Sequence, residues 1–197
     1  WFGYVVGPHS WKKYLFPPKT TLLTVQKTDQ GWAFLPPAPE SAKFALLGVR
    51  ACELAAIRIQ DKVFLEGPYV DPVYRARRAA LFLIAMNCTQ AASTCFCVSM
   101  KTGPRCDAGF DLALTEIESG FLCEIGSDSG FDVLGACETR AATNQELDLA
   151  ASARQQAVSM MTKEMKTDDL PQLLLENLNH PRWKDVGERC LSCTNCT

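Results

Sequence analysis

The chain has 197 residues, 47% of them hydrophobic and 21% charged, so it is long and apolar enough to bury a hydrophobic core. Its net charge of only −2 argues against nucleic acid or an anionic membrane as the main partner. The longest apolar run falls well short of the ~20 residues that a membrane-spanning helix needs. The chain starts at Trp1 without an initiator methionine, so we expect a fragment whose targeting signals cannot be read.

The ten cysteines are the most unusual feature of the composition. An even number permits the disulfide framework of a secreted protein, but that reading suits short chains without a core. Seven of the ten instead belong to two groups. One is a Cys-x-Cys loop with two further cysteines, and the other is a Cys-x-x-Cys-x-x-Cys run. Thiols so close in sequence are better placed to share a metal than to pair with each other. The pattern favours a reduced, cytoplasmic, metal-loaded protein.

The first part of the chain predicts short elements separated by prolines. Segment 1–6 is typical of a strand, and 9–16 of a short helix that Pro17 ends. Strands are expected at 21–25 and 32–35.

The next part predicts a crossover unit. An apolar strand at 44–49 runs directly into a helix from Arg50, and Asp71 caps a second helix that has proline in its first turn. A buried strand follows at 81–86. Strand, helices and strand in this order predict two adjacent parallel strands.

The last part predicts a β-hairpin and then helices. Segments 110–117 and 121–125 flank a short turn. Thr143 begins a capping-box sequence and opens a helix that reaches about residue 161. A further helix opens at Asp169 and is interrupted at Pro181. We therefore predict an α/β fold: a mixed sheet with crossover helices, a β-hairpin and a C-terminal helical segment that leads into a truncated ferredoxin-like domain.

Three cysteines after the strand at 81–86 fall within a span of ten residues: Cys88, Cys95 and Cys97. A 4Fe–4S cluster normally takes four thiolates. Cys52 is the natural fourth, because it follows the neighbouring parallel strand and parallel strands end at the same rim of a sheet. It also lies in the first turn of a helix, whose partial positive charge favours a thiolate. The alternative is that Cys52 and Cys88 are small buried hydrophobic residues.

The run Cys190, Cys193 and Cys196 matches in spacing the first three cysteines of the C-x₂-C-x₂-C-x₃-C-P pattern of bacterial ferredoxins. A structural zinc site usually offers two separate Cys-x-x-Cys pairs, and a thioredoxin-like motif needs only one. The run therefore favours cluster ligation, with zinc binding and thiol redox chemistry as alternatives.

The other three cysteines, Cys106, Cys123 and Cys137, are isolated and are expected to fill the core. No dinucleotide fingerprint or P-loop occurs in the chain, so a flavin or nucleotide is expected on another subunit.

Six segments of the chain carry a resemblance to a known family. They are YVVGPHSWKKYLFPP (4–18), GVRACELAAI (48–57), DPVYRARR (71–78), NCTQAASTCFC (87–97), GFDLAL (109–114) and the ending PRW to CLSCTNC (181–196). Together they resemble the iron–sulfur beta subunit of cytoplasmic nickel–iron sulfhydrogenases and its close relative, the corresponding iron–sulfur subunit of anaerobic sulfite reductase. The resemblance extends in order over essentially the whole chain.

The resemblance implies a protein that carries electrons between a flavin subunit using NAD(P)H and the hydrogenase or sulfite reductase catalytic subunits. In that family a C-terminal ferredoxin-like domain holds two 4Fe–4S clusters, and Cys190, Cys193 and Cys196 would begin the first. The resemblance also strengthens the expectation of a cluster at Cys52 and the three loop cysteines. The implied domains are 1–165, an α/β domain with the internal site, and 166–197, a helical linker and the start of the ferredoxin-like domain.

Two features depart from the family pattern. The ferredoxin-like domain stops after its first three cysteines, and Lys101 occupies the turn after Cys97 where a glycine is expected. The leading hypothesis is a non-catalytic electron-transfer subunit, whose potential would depend on burial, charge and N–H···S bonds from Thr94, Phe96 and Val98. The alternative is a zinc-stabilised, non-redox interaction module of a multi-subunit complex.

Overall fold

A computed structural model describes residues 1–3, 11–36 and 43–191 of the chain. The described part contains two sheets and seven helices, which we number in chain order. The strands are β1 (Thr24–Thr28), β2 (Gly31–Leu35), β3 (Phe44–Arg50), β4 (Leu81–Met86), β5 (Leu112–Ile117) and β6 (Gly120–Ile125). The helices are α1 (Lys12–Leu15), α2 (Ala51–Phe64), α3 (Pro72–Ala79), α4 (Asp128–Gly135), α5 (Asn144–Ser159), α6 (Leu170–Glu176) and α7 (Arg182–Glu188).

The main sheet has four strands in the order β3-β4-β5-β6. β3 and β4 are parallel, β4 and β5 are parallel, and β5 pairs with β6 in an antiparallel hairpin. β3 and β4 are joined through α2 and α3, which is the crossover that parallel neighbours require. The predicted mixed α/β sheet, with its crossover and its hairpin, is confirmed.

The core lies where α2 and α3 pack on the sheet. Leu54 and Ile57 of α2 meet Tyr74 of α3 and Leu83 of β4, and all four are buried. Burying a side chain such as Ile57 contributes about 1.5–3 kcal/mol to stability. Asp71 caps α3 as predicted, since its carboxylate accepts hydrogen bonds from two backbone N–H groups of the first turn at 2.9 and 2.8 Å.

The second half of the domain packs α5 against β5 and β6. Ala150 and Ala157 are its buried residues, so the helix approaches the sheet through small side chains. Thr143 and Glu146 form the predicted capping box at its start. α4 was not predicted, because it is short and Gly130 and Gly135 weaken its helical signal.

Two parts of the chain, the small sheet and the last two helices, lie outside this core. β1 and β2 form a separate two-stranded antiparallel sheet whose side chains are mostly exposed. α6 and α7 carry no buried residue, and they are separate helices on either side of Pro181 as predicted. None of the helices in the described ranges has the length and hydrophobicity of a membrane span.

Several boundaries differ from the sequence prediction. The first strand of the small sheet is β1 at Thr24–Thr28 rather than 21–25, because its ends follow the pairing with β2. The strand predicted at 1–6 and the helix predicted at 9–16 extend into residues outside the described ranges. Residues 1–3 form no strand, and the described part of the helix is α1.

Candidate metal centre

The parallel pairing of β3 and β4 brings the first two predicted ligands to one rim of the sheet. Arg50, the last residue of β3, is paired with Met86, the last residue of β4. Cys52 is the second residue of α2, and Cys88 lies two residues beyond β4. A bulge at Gly48, where φ is +90°, adjusts the register just before this rim. Glycine suits that backbone conformation because it lacks a Cβ atom.

The loop after β4 folds back toward the start of α2. The turns that follow Cys97 close through a hydrogen bond of 2.9 Å from the Thr102 N–H to the Cys97 carbonyl. Lys101 has a φ of +55° in this turn, the left-handed conformation for which a glycine was expected. A Cβ atom on Gly103 would lie only 3.1 Å from the Cys97 sulfur and 3.2 Å from the Cβ of Ala51. The missing side chain thus lets Cys97 approach the first turn of α2.

The thiols of this region influence each other electrostatically. Burial raises the pKa of Cys52 to about 12, with further contributions from Glu53, Cys88 and Cys97. The Cys52 side chain keeps solvent access, so burial here means crowding of the sulfur rather than full enclosure. Burial likewise raises the pKa of Cys88 and of Cys97, and Cys95 adds to both shifts. Each of the four predicted ligands is therefore within electrostatic reach of at least one other.

Backbone N–H groups also reach the sulfurs. The Glu53 N–H, in the first turn of α2, hydrogen-bonds the Cys52 sulfur and lowers its pKa. The Cys97 and Val98 N–H groups do the same for the Cys97 sulfur. Of the donors predicted at Thr94, Phe96 and Val98, this contact involves Val98. The start of α2 also offers a donor, but burial outweighs it and the pKa of Cys52 is raised overall.

A buried asparagine, which the sequence reasoning missed, closes the base of the cysteine loop. Asn87 is 1% exposed, and its amide donates to the Thr115 hydroxyl at 2.8 Å and to Glu124 at 2.9 Å. Its carbonyl oxygen accepts the Cys106 N–H at 2.7 Å. The Cys88 N–H donates to the Pro104 carbonyl at 3.1 Å. The two ends of the loop are thus held together beside the sheet.

Two further side chains near the thiols were also missed. The guanidinium of Arg50 lies 3.9 Å from the Cys88 sulfur and opposes the rise in its pKa. The Cys97 sulfur lies 3.8 Å from the sulfur of Met161, just after α5. The Met165 N–H donates to Ser99 at 3.1 Å, so the segment after α5 crosses the loop. These long-range contacts leave no periodic signal in the sequence.

The isolated cysteines behave differently from one another. Cys106 is 1% exposed and part of the hydrophobic core, as predicted, and burial raises its pKa to about 12. It is also within electrostatic reach of Cys52 and Cys88, which makes it the fifth thiol of this region. Cys123 is half-buried, and the core prediction was wrong for Cys137, which is exposed at the end of α4.

The terminal run is described only at its first member. Cys190 is exposed just after α7, and Cys193 and Cys196 lie outside the described residues. Among the described residues, no three or more His, Cys, Asp or Glu side chains form a group able to hold a single metal ion. A 4Fe–4S cluster receives each thiolate at a different iron, which calls for wider spacing than one ion does. Cys52, Cys88, Cys95 and Cys97, each within electrostatic reach of at least one other, offer the four thiols that such a cluster takes.

The comparisons with known proteins give one relative. The chain is 29% identical over 188 residues to sulfhydrogenase 2 subunit beta of Pyrococcus furiosus. The alignment covers 94% of this chain and 54% of that protein, so the chain spans about half the length of the relative. No family model matches the chain, and no solved structure matches it. The resemblance to sulfhydrogenase beta subunits expected from the motifs is thereby confirmed, at moderate identity.

Proposed function

We propose that this chain, which over nearly its whole length resembles a sulfhydrogenase beta subunit, is part of an iron–sulfur electron-transfer protein. One observation carries the proposal: Cys52 and Cys88 follow neighbouring parallel strands, and each of Cys52, Cys88, Cys95 and Cys97 lies within electrostatic reach of another of the four. Four thiols are the donor set of a 4Fe–4S cluster. The proposed site therefore holds one such cluster.

Each part of the site has a role in this proposal. A bound cluster accepts and releases one electron at a time, at a potential set by its surroundings. The four thiols would lose their protons and bind iron, and the raised pKa values of Cys52, Cys88 and Cys97 make this binding dependent on pH. The N–H groups of Glu53 and Val98 would donate to the ligating sulfurs.

The proposal extends to the complex and to the terminal run. Electrons would pass between the catalytic subunits of a hydrogenase or a sulfite reductase and a flavin-containing NAD(P)H subunit, in the cytoplasm. Residues 1–165 would form the domain of the internal cluster. Residues 166–197 would form a helical linker and the start of a ferredoxin-like domain, with Cys190, Cys193 and Cys196 as its first ligands.

Anaerobic reconstitution with iron and sulfide tests the internal site. A parent protein with serine at Cys190, Cys193 and Cys196 removes the terminal ligands, so any cluster that remains belongs to the internal site. We expect about four irons per chain, the broad absorption of a 4Fe–4S cluster, and an electron paramagnetic resonance signal after reduction. A colourless protein that holds stoichiometric zinc would contradict the proposal and favour a structural zinc module.

The ligand set is tested in the same background by Cys95→Ser and Cys106→Ser. Because Cys95 is a proposed ligand, its replacement should lower the iron content per chain by at least a quarter, the share of one iron in four. Cys106→Ser is the matched control, since Cys106 is a neighbouring thiol assigned to the core. Iron loss in the Cys106 variant but not in the Cys95 variant would mean that Cys106 is the true ligand.

A further inference from the structure

Arg50 is a buried cation at the rim where the four thiols meet. It is the last residue of β3 and is only 4% exposed. Charged side chains are rarely buried to this degree unless they are paired, because removing a charge from water is costly. A guanidinium in this position therefore has a strong interaction with its surroundings.

The contacts of Arg50 fix the direction of its side chain. One guanidinium nitrogen donates to the Phe2 carbonyl at 2.5 Å, and the other lies 3.9 Å from the Cys88 sulfur. Its backbone N–H donates to the Glu53 carboxylate at 2.9 Å, which ties Arg50 to the first turn of α2. The planar guanidinium of arginine can donate to the carbonyl and to the sulfur at the same time, whereas the ammonium of a lysine acts as a point charge.

The nearby charges are mainly negative when the site is loaded. The carboxylates of Glu53 and Glu116 both interact with Arg50, and Glu53 acts on Cys52 and Cys88 as well. Metal-bound thiolates would add further negative charge. Since charges interact strongly when partly removed from water, a buried cation here favours whichever state of the site carries more negative charge.

We propose that Arg50 is a positioning residue that holds Cys88 and raises the reduction potential of the group bound there. The inference rests on the proposed function, because it requires a cluster at Cys52, Cys88, Cys95 and Cys97. Reduction adds one electron and thus one negative charge to the site. The guanidinium stabilises that charge through its own charge and through its N–H donor to the sulfur.

The test measures the midpoint potential by reductive titration with dithionite, monitored by electron paramagnetic resonance. It uses the full chain with serine at Cys190, Cys193 and Cys196. Arg50→Gln removes the charge, and we expect the equilibrium constant for reduction to fall at least tenfold, a shift of about 59 mV to more negative potential. Arg50→Lys keeps the positive charge but loses the two-sided donor geometry of the guanidinium, so a smaller shift in the same direction is expected.

Arg58 supplies the matched controls, since it is an exposed arginine on α2, and Arg58→Gln and Arg58→Lys should leave the potential unchanged. Iron content and far-ultraviolet circular dichroism are measured for every variant. If Arg50→Gln fails to fold or to load iron, the comparison of Arg50→Lys with Arg58→Lys decides the question.

Variants of Arg50 that load iron at the parent's potential would overturn the inference and leave the proposed function intact. A parent that takes up no iron overturns both. A purely structural role of Arg50 would change the stability of the protein without moving the potential of the loaded site.

Discussion

At the scale of single residues, the cysteine loop depends on side chains that hold its ends rather than on the cysteines alone. Asn87 uses both amide hydrogens and its oxygen, and its partners come from β5, β6 and the chain after the loop. A buried polar group of this kind stabilises only while all its partners are present. The loop therefore has a fixed base beside the sheet.

Replacing Asn87 with alanine tests this role. The change leaves the buried Cys106 N–H and the Thr115 hydroxyl without their partner, so we expect the free energy of unfolding to fall by about 2–4 kcal/mol. Urea denaturation of the reduced, metal-free protein measures it. Asn144→Ala is the control, because Asn144 is exposed at the start of α5 and alanine suits a helix. An equal effect of the two changes would contradict the assigned role of Asn87.

The sequence allowed only part of the residue-scale picture to be predicted. Cys52 could be assigned to the loop cysteines because parallel neighbouring strands end at one rim, a rule that needs no side-chain detail. Arg50 and Asn87 could not be assigned in this way. Their roles depend on contacts between residues 19 to 48 positions apart, such as the bond from Arg50 to the Phe2 carbonyl, and such contacts produce no local pattern.

At the scale of elements, the loop and α2 meet through a glycine. Gly103 lies against the Cys97 sulfur and Ala51, so the distance between loop and helix depends on the absence of a Cβ atom. The elements around this contact were predictable. β4 has the bounds that its apolar run predicted, and α3 begins at the expected cap and proline. The contact itself was not predictable, because a glycine in a loop can be required for many different structural reasons.

The Gly103→Ala variant should displace the Cys97 sulfur. The added Cβ would lie about 3.1 Å from that sulfur, closer than normal contact allows, so the thiol must move. We expect reduced iron loading with a preserved fold, measured as iron per chain and as far-ultraviolet circular dichroism. Gly135→Ala in α4 is the control, since a Cβ there meets no atom within 4 Å. Full iron loading of the Gly103 variant would show that the loop tolerates the shift.

At the scale of the whole molecule, the core and the peripheral elements differ in how well they bury apolar surface. The pairing of β1 with β2 places Val25, Trp32 and Phe34 in a hairpin where Trp32 and Phe34 are 66% and 65% exposed. A two-stranded sheet is only marginally stable alone in water. The leucines of α6 at 173–175 are exposed as well. Exposed apolar patches are typical of proteins that work in complexes.

The buried thiol of Cys106 makes the stability of the metal-free protein sensitive to alkaline pH. Cys106 is 1% exposed, and burial raises its pKa from the ordinary value of 9.0 to about 12. The folded protein then holds more protons than the unfolded chain between these values, so this contribution to stability is full below pH 9 and falls as pH rises toward 12.

Urea denaturation of the reduced protein at about pH 7, 9 and 10 measures this loss. Cys106→Ala removes this thiol and should make the fall over the alkaline part of this range less steep than in the parent. Cys137→Ala is the control, because Cys137 is exposed. Equal slopes in all three proteins would mean that the buried thiol of Cys106 does not control alkaline stability.

The closeness of Cys52 and Cys88 bears on the stability of the domain. The two residues are 36 positions apart, and α2 and α3 lie between them. A metal group bound to both would act as a cross-link that limits the freedom of the unfolded chain. For a loop of this length the chain-entropy model gives a stabilisation of about 4 kcal/mol. A group bound there would then also hold the crossover helices against the sheet, so its loss would destabilise the domain.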